Sequence, residues 1–132
     1  MKKVIEPNLA DNSPSQQQLS NLMEFFKNGR LKDAERLAVS ITTDFPKHQF
    51  AWKVLGAVFG ATGRISQAAD ANQTAVKLSP QDAAAHNNLG ITFQELGRFD
   101  EAEASYKQAI ELNSDFAGAH YNLGVLLHAL DK

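Results

Sequence analysis

His86 and His120 stand 34 residues apart, and His128 follows eight residues after His120. Imidazoles hold zinc or similar ions when a second ligand lies at close helical spacing with an acidic companion. Neither pair meets that condition, so the histidines read as packing residues and no metal site is expected. The run Gly56-Ala-Val-Phe-Gly60-Ala-Thr-Gly63 is rich in glycine, yet it falls within an apolar helical pattern. It also lacks the Lys-Ser/Thr pair with which a phosphate loop grips its nucleotide. Glu101, Glu103 and Glu111 are spaced as on a solvated helix face. With no cysteine there is neither a thiolate nucleophile nor a disulfide framework. No catalytic constellation forms, no cofactor is implied, and the chain reads as a non-enzyme.

The composition narrows the remaining classes. The 132 residues are 43% hydrophobic and 21% charged, which suits one globular domain. A net charge of -2 without any long basic run leaves no electrostatic footprint for nucleic acid. No apolar run approaches a membrane span, and the start MKKVIEPNLADN does not continue into a secretion signal. Cytoplasm is the expected location. Residues 1–12 read as a flexible leader, after which Ser13, Pro14 and Gln16 read as the cap and first turn of a helix.

What must position any site is a repeat. GRLKDA begins at Gly29, GRISQA at Gly63 and GRFDEA at Gly97, each 34 residues after the last. Gly56, Gly90 and Gly124 keep the same interval, as do Ala34, Ala68 and Ala102, and Pro46 and Pro80. Such a period marks a solenoid. Gly29, Gly63 and Gly97 stand where a helix stops, since glycine enters the left-handed conformation of a C-terminal cap without steric cost. Leu31, Ile65 and Phe99 then anchor the next helix. The small residues let paired helices approach closely. Apolar spacing, as in Trp52, Leu55, Gly56 and Phe59, predicts seven helices at about 15–28, 31–44, 48–62, 65–78, 82–96, 99–112 and 116–130. Their short connections force antiparallel pairs.

The chain resembles the tetratricopeptide repeat family. WKVLGAVF, from Trp52 to Phe59, is similar to the family's W-x2-L-G-x2-Y pattern with Phe in place of Tyr, and Ala68 and Pro80 fall at the expected later places. NNLGITFQELGRFDEAEASYKQAIELN, from Asn87 to Asn113, keeps Leu89, Gly90, Phe93, Ala102, Tyr106 and Ala109 in register. Asn72 replaces the usual aromatic of the second unit. The first unit departs further, with Gln18, Asn21 and Leu22 at the Trp, Leu and Gly places, as a terminal repeat often does. The resemblance implies an all-α, right-handed superhelical stack of antiparallel helix pairs spanning 15–132. Its units are 15–48, 49–82 and 83–116, with a half unit at 117–132. It also implies a protein or peptide partner held on the concave face, which the first helix of each unit lines.

Helical geometry assigns that face to places 2, 6, 9 and 13 of each unit. They hold Gln16, Ser20, Met23 and Lys27, then Phe50, Val54, Ala57 and Ala61, then Ala84, Asn88, Ile91 and Glu95, and finally Gly118, Asn122, Val125 and Ala129. Met23, Phe50, Val54, Ile91 and Val125 form an apolar strip in which Asn88 and Asn122 recur in phase. This suits a peptide or helix laid along it. For Phe50 and the valines the alternative is packing between adjacent first helices. The asparagines resemble the ladder of the O-linked N-acetylglucosamine transferase repeat region, where amides grip a partner's backbone; the alternative is a hydrogen bond to a neighbouring helix. Two rungs with two bonds each supply about 4 kcal/mol, roughly millimolar binding, so apolar contacts must add to them. Members that clamp a C-terminal carboxylate do so through basic and amide residues at places where this chain has Leu19, Met23, Ala84 and Asn88. That clamp is absent.

The last helix, with Leu123, Leu126, Leu127 and Leu130, carries more apolar surface than one neighbour covers, which predicts homo-oligomerisation through Leu126 and Leu130 or a continuing protein. The expected function is a scaffold or adaptor. The alternative is a recruiting or self-associating module of a larger transferase whose catalytic part lies beyond residue 132.

Overall fold

The computed structural model describes residues 13–131; the expected leader at 1–12 lies outside them. Seven helices follow in order: α1 (Gln16–Lys27), α2 (Leu31–Asp44), α3 (Gln49–Ala61), α4 (Ile65–Leu78), α5 (Ala83–Glu95), α6 (Phe99–Leu112) and α7 (Ala117–Ala129). The second helices of the pairs run where the periodicity places them. The first helices are one residue shorter at each end than expected, because those outer positions serve as caps. One cap needs correction. Two Ser-x-x-Gln boxes overlap at the start, and Ser15 rather than Ser13 is used. Its hydroxyl accepts the Gln18 N–H at 3.0 Å while the Gln18 side chain accepts the Ser15 N–H at 2.9 Å. Pro14 is buried just ahead of it.

The Gly-Arg phrase closes each hairpin. Gly29, Gly63 and Gly97 have φ of 75°, 80° and 79°, the conformation of the αL cap. The following Arg30, Arg64 and Arg98 donate their backbone N–H to Phe25, Phe59 and Phe93 at 2.8, 2.9 and 2.8 Å. Each guanidinium then folds back over the same phenylalanine, 4.8, 4.9 and 4.6 Å from the ring centre. The arginine is therefore as much a part of the turn as the glycine.

A second periodic bond joins the units. Trp52 Nε1 donates to the Pro46 carbonyl at 2.8 Å. At the same place in later units, Nε2 of His86 and of His120 bonds the carbonyls of Pro80 and Ser114, both at 2.9 Å. A carbonyl can only accept, so Nε2 carries the proton. His120, read as a packing residue, is exposed, and its role is this loop bond.

Neighbouring helices pack in sequence, and α3 meets α5 and α5 meets α7 directly, so the first helices stand side by side. The core divides in two. One cluster centres on Leu22, Ala38, Ile41, Leu55, Val58 and Phe59, the other on Leu89, Phe93, Ala102, Tyr106 and Leu126. Within the second and third hairpins the glycine of the first helix admits the second: a Cβ on Gly56 would strike the Asn72 carboxamide, and one on Gly90 would lie 2.6 Å from Tyr106 Cε1. At Gly124 a Cβ would meet nothing within 4 Å. Two alanine substitutions should therefore differ in sign. Gly90→Ala forces a buried ring aside and should destabilise by about 1–3 kcal/mol. Gly124→Ala gains helix propensity and should stabilise by up to about 1 kcal/mol. Urea denaturation followed by circular dichroism measures both.

Candidate functional site

The side-by-side first helices α1, α3, α5 and α7 present a grooved face with three clefts. The first, about 460 Å³, lies between α1 and α3 and is lined by Gln16, Ser20, Met23 and Phe50 among others. The second, about 220 Å³, is a recess between α3 and α5, floored by Gly56, Ala57, Gly60 and Ala61 and walled by Asn72, Asn88, Ile91, Thr92 and Glu95. The third, about 430 Å³, joins α5 to α7 through Ile91, Gln94, Glu95, Tyr106 and Asn122. The second and third share Ile91 and Glu95.

Most of the expected groove residues meet on this face, though not all of them are open to a ligand. Met23, Ile91 and Val125 are exposed apolar side chains. Phe50 lines the first cleft and also packs on the core. Val54 is a correction: at 5% exposure it belongs to the first core cluster and is closed to a ligand. The two asparagines differ. Asn122 Nδ2 donates to Asn87 Oδ1 of α5 at 3.1 Å, which is the neighbouring-helix alternative. The Asn88 side chain makes no hydrogen bond among the described residues and lines the recess. Leu126 is a second correction. It is 1% exposed, inside the second core cluster, and Leu130 packs against the same cluster. The exposed face of α7 is instead Ala117, Tyr121, Gly124 and His128.

Polar residues fix the curvature of this face. Asp82 caps α5 by accepting the Ala85 N–H at 3.2 Å and reaches back to α3, accepting from Gln49 Nε2 and Lys53 Nζ, each at 2.9 Å. Burial works against its charge, but these donors prevail and hold the carboxyl below its ordinary value. Arg64 grips Glu35 of the preceding unit with two bonds of 2.9 and 2.6 Å, and the hydrogen bond lowers the Glu35 pKa. The Tyr106 hydroxyl donates to Gln94 Oε1 at 2.7 Å; burial, with the nearby Glu95 charge, pushes it up to about 12. Among the described residues no three His, Cys, Asp or Glu side chains converge as a metal would require. None of their helices is long and apolar enough to cross a membrane.

The chain matches the TPR repeat family model over residues 56–97 and again over 94–131. It belongs to the TPR repeat family. The fold is that of a protein-interaction scaffold, a stack of TPR helix pairs. The first TPR domain of Spaghetti (RPAP3), bound to an HSP90 peptide, is similar with a TM-score of 0.84 and 19% identity, covering 92% of this chain and 98% of that one. The O-GlcNAc transferase of Thermobaculum terrenum gives 0.83 and 29% identity over 95% of this chain, but over only 24% of its own. The Yersinia enterocolitica type III secretion chaperone SycD, in complex with a peptide of the translocator YopD, gives 0.79 and 18% identity, covering 88% and 91%. No curated protein matches the chain.

The TPR motif announces the glycines and alanines, not the residues of the recess. Asn72 enters it because it is shorter than the aromatic at that place, and Glu95 because Ala57, Gly60 and Ala61 opposite are small. Ala57, Ala61 and Glu95, small or charged residues at groove places, were the available signal. Asp82 supplies a test of how the units are joined. A carboxyl with a lowered folded pKa contributes stability above its unfolded pKa and loses it as pH falls through the folded value. Asp82→Ala should cost about 1–2 kcal/mol at neutral pH, and the gap to wild type should close in acid, as read from urea midpoints across a pH series.

Proposed function

We propose that this TPR domain is a cytoplasmic, non-catalytic scaffold that holds a peptide segment or helix of another protein in the groove of α1, α3, α5 and α7. One observation carries the reading. Asn88 presents an unbonded carboxamide in the second cleft, on the helix whose exposed Ile91 lines both the second and the third, with Val125 exposed one helix on. A carboxamide can pair with a peptide unit as donor and acceptor together, while the apolar side chains supply the burial that two amides lack. The peptides held by the Spaghetti and SycD proteins support the mode by likeness of fold. The carboxylate clamp is not part of it here, because Leu19, Met23 and Ala84 supply no cation.

The test is a random-peptide phage selection on the intact protein, followed by fluorescence anisotropy. Selected peptides should lose at least about tenfold in affinity for an Asn88→Ala, Ile91→Ser double variant of unchanged helical content. Undiminished binding of every selected peptide by that variant would place the site elsewhere.

The open side of α7 favours a second reading, self-association. Ala117, Tyr121, Gly124 and His128 stand at the places that α5 fills with Ala83, Asn87, Gly90 and Gln94, the side against which α6 packs. Tyr121 is 72% exposed where Asn87 is buried. A helix of a second copy fits there. Sedimentation equilibrium should show a concentration-dependent dimer that Tyr121→Asp reverts to monomer; a wild type monomeric at every concentration removes this reading. The likeness to part of the O-GlcNAc transferase supports a recruiting role within a larger transferase as a further arrangement.

A further inference from the structure

The recess between α3 and α5 combines a charge with two unbonded carboxamides. Among the residues lining the three groove clefts, Glu95 is the one charged side chain. Glu95 has no ion-pair partner among the described residues, so its charge is open to a ligand. A second, independent feature lines the same recess. Asn72 is 3% exposed, its side chain makes no hydrogen bond among the described residues, and it lines the recess. The carboxamide stands where Tyr106 fills the corresponding space one unit later.

We propose that this recess is a subsite for a basic side chain, lysine or arginine, of the peptide in the groove. The inference rests on the groove reading above and names the residue that gives it selectivity. Ala57, Gly60, Ala61 and Ile91 offer an apolar passage for the aliphatic stem. The carboxamide oxygens of Asn72 and Asn88 can accept from the cationic head, and the carboxylate of Glu95 supplies the opposing charge. An acidic side chain is excluded for the same reason, since it would enter a niche whose single charge is negative. The preference is opposite to that of a carboxylate clamp.

A peptide selected on the wild-type protein, and lost by the Asn88→Ala, Ile91→Ser variant, is the host for the experiment. Without such a peptide it is the groove reading that has failed. Each host position is replaced in turn by Lys, Arg, Gln and Glu, and binding is read by anisotropy. One position should prefer Lys or Arg over Gln by about tenfold and reject Glu, with a preference that weakens in high salt. Glu95→Gln should reduce that preference to within about twofold while the Gln peptide binds as before. Ala57→Leu, which fills the recess without changing charge, should abolish the preference at the same position. A flat profile at every position, or a basic preference that survives Glu95→Gln, overturns the inference and leaves the groove standing.

Discussion

The structure depends on how closely two helices can lie within a hairpin. At Gly56 and Gly90 no side chain stands between the first helix and the second, so Asn72 and Tyr106 press against bare backbone. That contact sets the spacing of α3 from α4 and of α5 from α6, and the stack inherits its pitch from it. Dense packing of this kind tolerates little adjustment, which is why small residues also recur at Ala34, Ala68 and Ala102, all fully buried. The Gly-Arg turns serve the same end. The glycine reverses the chain in two residues, and the arginine, laid over the preceding phenylalanine, shields the end of the core.

The two units that share this contact use it differently, and the difference creates the distinctive part of the groove. Tyr106 fills its space and ties off its hydroxyl on Gln94. Asn72, being shorter, leaves room above it, and the core is divided near this seam between the two apolar clusters. A loss of packing in the second unit thus becomes a recess on the binding face. The ion pair Lys53–Asp82 ties α3 to the cap of α5 across this seam, while Arg64–Glu35 joins the first unit to the second.

Much of the fold was legible because its determinants are local. A positive φ requires glycine at Gly29, Gly63 and Gly97, and helical spacing of apolar residues needs no distant partner to be recognised. Where the reading went astray, neighbouring elements made the choice. Ser15 won over Ser13 although both begin a Ser-x-x-Gln box. Val54 and Leu126 looked available from their own helices, yet other helices cover them. Asn122 was legible as a groove residue but not as the partner of Asn87, 35 positions away.

The sequence by itself determined the period, the seven helices, the family and the residue types that line the inner face, since each follows from short-range geometry repeated every 34 residues. Only the tertiary structure decided which of those residues are open. Exposure and hydrogen-bond satisfaction are properties of the space between helices, set by side chains far apart in the chain. Asn72 comes from α4 and Asn88 and Glu95 from α5, and nothing in their local context records that they border one recess.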